Sequence, residues 1–337
     1  MEKTDIKSMN LEELKSYMES IGEKPFRAKQ LYQWMHEKQA ASFDEMTNLS
    51  KSLQEKLKKE CHFVSLKQEA VQVSKIDGTR KYLFALDDGN VIESVLMRYK
   101  HGNSVCISSQ VGCRMGCRFC ASTLDGLVRG LTPSEMLDQI YRITRDTGER
   151  VANVVVMGTG EPMDNYDNVL RFLELITSED GLNISQRNIT ISTCGIVPKI
   201  KELAQKHLQI TLAISLHSPN DEMRRGLMPI AMKYSIDELL DACHYYFKET
   251  NRRMTFEYSL VAGVNDQPVH AEELAGRLKG FPCHVNLIPV NPIKERDFKQ
   301  SMPKSVMEFK KILEKSRKVG LKSTEYQIIK EIKILTF

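Results

Sequence analysis

The 337-residue chain reads as an α/β protein in which six β/α units form a parallel sheet curved into an open partial barrel, smaller than the complete eight-unit form. Three observations predict it. Strand-like and helix-like segments alternate from about residue 103 to 320. Glycine-rich and polar motifs fall where those strands end, which is where such sheets collect chemistry. Three cysteines, Cys113, Cys117 and Cys120, crowd into eight residues just after the first strand.

A hydrophobic content of 41% and a charged content of 27% are ordinary globular values, and the length allows one large domain plus a small one. No apolar run approaches the length of a bilayer, and Met1-Glu2-Lys3-Thr4-Asp5 is too charged for a signal peptide. A cytoplasmic protein with no membrane partner is expected, a setting that suits reduced thiolates. The net charge of +4 says little about nucleic acid. Residues 294–333 hold twelve Lys or Arg against six acids, a basic end that either attracts phosphates or forms a solvated helix face.

Four segments follow one another: a helical accessory domain over 1–63, a β-hairpin extension over 64–102, the barrel over 103–320 and a tail over 321–337. In the first, Leu11, Leu14, Met18 and Ile21 fall at helical spacing, as do Leu31, Trp34 and Met35. Gly22 and Pro25 separate these helices, and Ser50 is placed to cap a third that carries Leu53 and Leu57. The basic positions Lys24, Arg27 and Lys29 suit RNA, although a packing or dimerisation unit fits as well. In the second, residues 81–86 and 91–97 are β-rich around the turn Asp87-Asp88-Gly89-Asn90. Glu93 lies in its second strand and by itself reads as an outward-facing carboxylate. In the third, strands are expected at 104–108, 154–157, 189–193, 211–216, 255–261 and 284–289. Helices are expected at 134–147, 168–177, 197–206, 236–248, 271–279 and 304–319. Thr132-Pro133-Ser134-Glu135 and Ser235-Ile236-Asp237-Glu238 carry the signature of helix N-termini.

The cysteine spacing C-x-x-x-C-x-x-C offers three thiolates and no fourth ligand nearby. Structural zinc wants four ligands, usually as two close pairs. A disulfide framework wants an even number of cysteines and an oxidising compartment. Three thiolates on a four-iron cluster leave one iron open to a cofactor, and Phe119 just before Cys120 is typical of radical SAM enzymes.

After the second strand, the glycines of Gly158-Thr159-Gly160-Glu161-Pro162 allow close approach of backbone to a ligand, and the carboxylate suits an α-ammonium. After the third comes Ser192-Thr193-Cys194-Gly195, whose hydroxyls reach a cofactor or merely end the strand. After the fourth, Ser215 and His217 share a face on either side of Leu216, with His217 a structural hydrogen-bonder or a site residue. After the sixth, Asn291 between Val290 and Pro292 reads an adenine edge or forms a turn.

With the strings at 106–113, 157–162, 192–195, 215–219 and 287–292, the chain resembles the radical SAM RNA adenine-C2 methyltransferases, the RlmN/Cfr family, from its helical start to about residue 320. The Gly-Glu-Pro form at 160–162 and Asn291-Pro292 resemble the RlmN branch. The resemblance implies methylation of carbon 2 of an adenosine in 23S rRNA and in some tRNAs. It implies a 4Fe–4S cluster on Cys113, Cys117 and Cys120, and S-adenosyl-L-methionine on Gly160, Glu161, Ser192, Ser215, Leu216, His217 and Asn291. Glu93 would be the general base and Cys106 the thiol that resolves a protein–RNA adduct by forming a disulfide. A reductase system such as flavodoxin or ferredoxin would supply electrons. The family also needs a methyl-carrying cysteine in a stretch of the type Asp-x-Ala-Ala-Cys-Gly near its C-terminus. Residues 321–337 contain no such motif, and the last cysteine is Cys283. The expectation is a chain that keeps the cluster and cofactor site yet does not methylate RNA. The alternatives are a radical SAM enzyme on a small molecule and a non-catalytic RNA-binding relative.

Overall fold

A computed structural model describes residues 3–100, 102–318 and 325–328. Of the tail over 321–337 only the backbone of 325–328 falls among them, so the expectation placed on that tail lies outside the described residues. Compactness divides the chain into two units, one of residues 1–111, 129–159 and 165–189, the other of 112–128, 160–164 and 190–337.

The first unit opens with the parallel strand pair β1 (Thr4–Asp5) and β2 (Cys61–His62) around three helices, α1 (Leu11–Ser20), α2 (Phe26–His36) and α3 (Lys51–Glu60). Asn10 and Glu13 cap α1 reciprocally, and Ser50 caps α3 as its sequence predicts. Leu14, Met18, Leu31, Met35, Leu53 and Leu57, all at helical spacing, are buried, whereas Leu11 and Ile21, which share that spacing, are only partly so. Trp34 is only half-buried and spends its indole N–H on Asn48 Oδ1.

Next come β3 (Lys67–Val73), β4 (Arg80–Ala85), β5 (Val91–Tyr99) and β6 (Gly102–Ile107), each antiparallel to the one before. The expected hairpin is therefore the middle of a larger meander. β3 escapes a sequence reading because its few apolar residues stay largely exposed and its face toward the core is thin. Two short strands, β7 (Gln110–Gly112) and β8 (Leu127–Gly130), flank the cysteine loop. β9 (Val151–Val156) pairs parallel with β6, giving the first of the expected β/α units with α4 (Pro133–Thr147) as its crossover, and α5 (Tyr166–Thr177) follows.

The N-terminal helices are fastened to this unit by a buried ion pair. Lys7 Nζ lies 2.5 Å from Asp138 Oδ1 of α4, and Leu66 N–H donates to Asp138 Oδ2 at 2.7 Å. Lys7 also donates to Val64 O at 2.6 Å, and both side chains are essentially inaccessible. His36 of α2 meets the Tyr141 hydroxyl of α4 at 2.8 Å, and its burial pushes the imidazole pKa down to about 3, so it stays neutral.

In the second unit β10 (Ile189–Thr193), β11 (Thr211–Ser215), β12 (Met254–Leu260), β13 (Cys283–Pro289) and β14 (Glu325–Ile328) pair in that order, all parallel. Parallel strands buried on both faces read as short apolar runs, which is why the segment ends agree with expectation to within a residue or two. The helices are α6 (Val197–Ala204), α7 (Asp221–Leu227), α8 (Ile236–Thr250), α9 (Pro268–Arg277) and α10 (Pro303–Lys318). Only α7 lacks a counterpart in the sequence reading: seven residues, five of them charged or glycine, carry too little apolar periodicity. Thr132 and Ser235 do open α4 and α8 with full capping boxes.

The two faces of β12 differ. Phe256 and Tyr258 are fully buried against the rings of Phe281, at 5.8 Å, and Phe309, at 5.2 Å. The alternate residues Thr255, Glu257 and Ser259 point to the other face, where the cofactor motifs of this unit also lie.

Candidate cluster and cofactor site

The cysteine loop is shaped by backbone contacts only glycine permits. Gly112 sits at φ +71°, and a Cβ there would fall 2.0 Å from Gly126 O, so the strands entering and leaving the loop touch. Cys113 N–H donates to Gly126 O at 2.8 Å, Cys120 N–H to Cys117 O at 3.1 Å, and Arg118 N–H to Leu227 O at 2.9 Å. The Thr123 hydroxyl donates to Cys120 O at 2.9 Å, closing the third ligand's turn. Arg114 holds Asp164 with both arms of its guanidinium, at 2.8 and 2.7 Å, tying the loop to the segment that carries Glu161.

Cys113 is buried, and Cys117 and Cys120 are half-buried. Burial pushes the Cys113 thiol up to about 11 and Cys117 up to about 12, with the neighbouring cysteines and Glu161 adding to the effect. Cys117 packs with Met115, Phe119, Ile196 and Ile230 around Cys194, Leu227 and Met228. Thiols in such a shell are poor thiolates until a cation joins them, and metal coordination deprotonates them outright. Among the described residues no three His, Cys, Asp or Glu side chains converge on a point, as the ligands of a single ion would. Three sulfurs, each for a different iron of one cluster, need to stand further apart than that. The donor set, its apolar shell and the mutual electrostatic influence of the three thiols fit a 4Fe–4S cluster.

The other motifs of this unit surround the loop differently from a reading of exposed ligands. Glu161 is 4% exposed, and its two oxygens accept from Cys194 N–H at 2.7 Å and Met163 N–H at 3.0 Å. Burial raises its pKa against the pull of those donors. The carboxylate thus also fastens its own loop to the end of β10, a role the sequence did not disclose. Ser192 and Ser215 stand with their hydroxyls 3.4 Å apart on adjacent strands. Leu216 is fully buried, so only its backbone is available to a ligand, and its carbonyl already accepts from Arg224 Nε at 3.2 Å. His217, at φ +55°, accepts Ser259 N–H on Nδ1 at 2.9 Å, which leaves the proton on Nε2. Burial, with Arg224 nearby, lowers its pKa to about 3, so it is a neutral donor edge-on to Phe119 at 4.8 Å. Asn265, unmarked in the sequence, braces it by donating to His217 O and Ser259 O at 2.7 Å each. Gly160 and the half-buried Asn291 belong to the same unit.

Ser215 aligns with Glu257, and Glu257 with Asn286, in successive parallel strands, and Asn286 Nδ2 donates to Glu257 Oε1 at 2.9 Å. Burial raises the Glu257 pKa from 4.5 to about 7. The folded protein therefore holds this proton more tightly than the unfolded chain, and stability is lost as pH rises from about 4.5 through 7. Glu257→Gln should remove that loss, so the variant gains on the wild type by roughly 1–3 kcal/mol between pH 5 and pH 8. Urea unfolding at both pH values checks this, and an equal difference at the two would refute it.

In the first unit Glu93 and Cys106 share a face of the antiparallel meander. Cys106 pairs with Val95, two residues beyond Glu93, and Lys81 pairs with Val95 from the other side. Lys81, 4% exposed, places Nζ 2.6 Å from Glu93 Oε1, while the Glu93 side chain remains 41% exposed. Glu93 is thus neither a bare outward carboxylate nor buried. Desolvation pushes the Cys106 thiol up to about 12, and the Glu93 charge adds to it. Ser108 fixes the frame: its hydroxyl donates to Glu93 O at 2.7 Å and accepts Thr159 N–H at 3.0 Å. Gly158 is required here for this internal approach, since a Cβ would lie 2.7 Å from Ser108 Oγ. Gln139 of α4 completes it, bonded to Ser94 Oγ at 2.7 Å and to Ser108 N and O at 2.9 and 3.0 Å.

Comparison with known proteins agrees with these features. The family model for the ribosomal RNA large subunit methyltransferase N-terminal domain matches residues 4–63, and that for the radical SAM superfamily matches residues 107–275. A probable dual-specificity RNA methyltransferase RlmN of Lachnospira eligens is 68% identical over 313 residues, 93% of this chain and 89% of that protein. One from Lachnoclostridium phytofermentans is 62% identical over 316 residues, 94% of this chain and 89% of its own. The crystal structure of a radical SAM methyltransferase from Sphaerobacter thermophilus superposes with a TM-score of 0.92 at 39% identity, covering 98% of this chain and 97% of that one. The fold is the radical SAM α/β fold, whose enzymes use a 4Fe–4S cluster and S-adenosylmethionine. The chain belongs to the RlmN family of radical SAM RNA methyltransferases.

Proposed function

We propose that the chain is built to methylate carbon 2 of an adenine in 23S rRNA, and in tRNA as a second substrate, with turnover requiring a carrier thiol that residues 321–337 do not contain. The observation that carries the reading is the 68% identity, over 93% of this chain, to a relative described as a probable dual-specificity RNA methyltransferase. When bound, the cluster supplies one electron for reductive cleavage of S-adenosylmethionine. Cys113, Cys117 and Cys120 hold it, and a flavodoxin or ferredoxin system is the proposed electron source. Glu161 and Gly160 receive the methionyl amine, Ser192 and Ser215 the carboxylate or ribose, and Asn291 the adenine. His217 donates from Nε2, and Leu216 contributes backbone only. Glu93, aimed by Lys81, takes the proton from the ring carbon. Cys106 would resolve the adduct as a thiolate attacking the carrier sulfur, the S–S bond forming as the carbon–sulfur bond to the product breaks and that carbon takes up a proton. The cytoplasm is the proposed compartment. Among the described residues no helix is long and apolar enough to cross a membrane.

Glu93→Gln in cluster-reconstituted protein should lower methylation of a 23S rRNA fragment by ~10²–10⁴-fold. Cleavage of S-adenosylmethionine to 5′-deoxyadenosine should persist. Undiminished methylation would remove the base from Glu93. A wild-type chain that cleaves the cofactor and leaves RNA untouched would trace the shortfall to the carrier thiol. Cys61, Cys194, Cys243 and Cys283 are all buried.

A further inference from the structure

Among the described residues Arg224 of α7 is the largest fully buried side chain, at 0% exposure. Arginine is almost never buried without a partner, because a guanidinium stays charged and an uncompensated charge in an apolar shell costs several kcal/mol. Its bonds go to carbonyls only: Nη2 donates to Cys194 O at 2.7 Å and Ser215 O at 3.3 Å, and Nε to Leu216 O at 3.2 Å. Among the described residues it makes no hydrogen bond to a carboxylate, and its enclosed Nη1 has no hydrogen-bond partner. Three neutral dipoles orient the cation but do not neutralise it.

The groups that feel its charge identify what does. Its electrostatic neighbours are, in order, Cys194, Cys117, a proposed cluster ligand, Asp221, whose carboxylate is committed to Ile236 N–H at 2.8 Å, and Cys243. The helix that carries Arg224 is joined to the cysteine loop through Arg118 N–H and Leu227 O, at 2.9 Å, and through the apolar contact of Cys117 and Phe119 with Leu227 and Met228. Gly195, at φ +103°, lies alongside: a Cβ there would meet Leu239 at 2.9 Å and Arg224 Nη2 at 3.4 Å.

We propose that Arg224 is the buried counter-cation of the cluster that Cys113, Cys117 and Cys120 would hold, and that it eases the cluster's one-electron reduction. This rests on the cluster assignment made above. A cluster held by three thiolates is anionic, and reduction adds a further negative charge. A fixed cation beside it in a water-poor shell favours the reduced form, since cluster potentials follow net charge and hydrogen bonds to sulfur. Arg224 touches neither substrate nor reacting carbon in this account, so it acts through the cluster.

Two full-length variants separate charge from scaffolding. Arg224→Gln retains a planar donor for the carbonyls and loses the charge. Arg224→Lys retains the charge and loses most of the hydrogen bonds. Each is reconstituted anaerobically with iron and sulfide, its folding verified by circular dichroism, and titrated with dithionite and mediator dyes while the cluster spectrum is followed. We expect Arg224→Gln to shift the reduction equilibrium at least tenfold against reduction, about 59 mV more negative for one electron. Arg224→Lys should stay within threefold of the wild type. An unshifted Gln variant, or a Lys variant shifted as far as Gln, overturns the proposal, as does collapse of both variants, which would assign Arg224 to scaffolding alone. A wild-type chain that takes up no iron removes the cluster reading and this one together. A normal wild-type cluster with an unshifted Gln variant removes only this one.

Discussion

Replacing Cys113, Cys117 or Cys120 singly by alanine should abolish the iron–sulfur absorbance of the reconstituted protein and its reductive cleavage of S-adenosylmethionine. Loss of an outer-shell partner typically costs a metal site ~10–100-fold in affinity or activity, and loss of a direct ligand should exceed that. The physical reason lies in the loop. Burial holds Cys113 and Cys117 protonated without a metal, so the cluster depends on all three donors to offset the cost of bringing it into this shell. Cys243→Ala and Cys283→Ala serve as controls. Both cysteines are buried, one on α8 and the other on β13, so these variants should lose some stability and keep full iron. Iron and sulfide analysis with the visible spectrum decides. A Cys117→Ala protein with undiminished iron and colour would show that the loop is not the ligand set.

Asp138→Ala should destabilise the first unit by about 3–5 kcal/mol. The substitution strands Lys7, whose side chain is 0% exposed, with an ammonium and no anion, and it also orphans the Leu66 N–H. Cation–π contact of Lys7 with the Phe63 ring, 4.6 Å from its centroid, offsets only part of this. Lys7→Met combined with Asp138→Leu should recover most of the loss, because replacing a buried ion pair by apolar groups of similar size is often neutral. Urea unfolding of the wild type, both single variants and the double variant measures the coupling. Additive single effects would mean that the pair does not act as a unit. The outcome bears on function as well, because this pair fastens the segment matched by the methyltransferase N-terminal domain to α4.

The β/α units were readable because their strands are short runs of branched residues, such as Val154-Val155-Val156, set between helices with capping boxes. The same logic fails where burial is achieved by charge. Lys7, Asp138 and Arg224 lie in polar stretches that read as solvated surface, and all three are buried. β3 was missed because its apolar residues do not alternate into the core. Lys81 beside Glu93 was missed because a cross-strand pair depends on register between β4 and β5, and register is not written in either strand alone.

At the site, the cysteines and the strand-end motifs were legible as chemistry, while the division of labour among them was not. Glu161, a carboxylate suited to an ammonium, is buried and also braces its loop by accepting two backbone N–H groups. His217 carried two readings. A backbone N–H on Nδ1 and a braced carbonyl fix its tautomer and leave Nε2 as the donor.

By itself the sequence determined the kind of chemistry: a spacing of sulfur donors and the order of strands are covalent facts, and only one class of cofactor suits them. Tertiary structure decided the electrostatics, namely which charges are buried, which face one another and which keep an unpaired donor. Those properties arise when residues distant in the chain, such as Ser215, Glu257 and Asn286, are brought side by side out of water. There, solvation no longer masks what each charge does to the next.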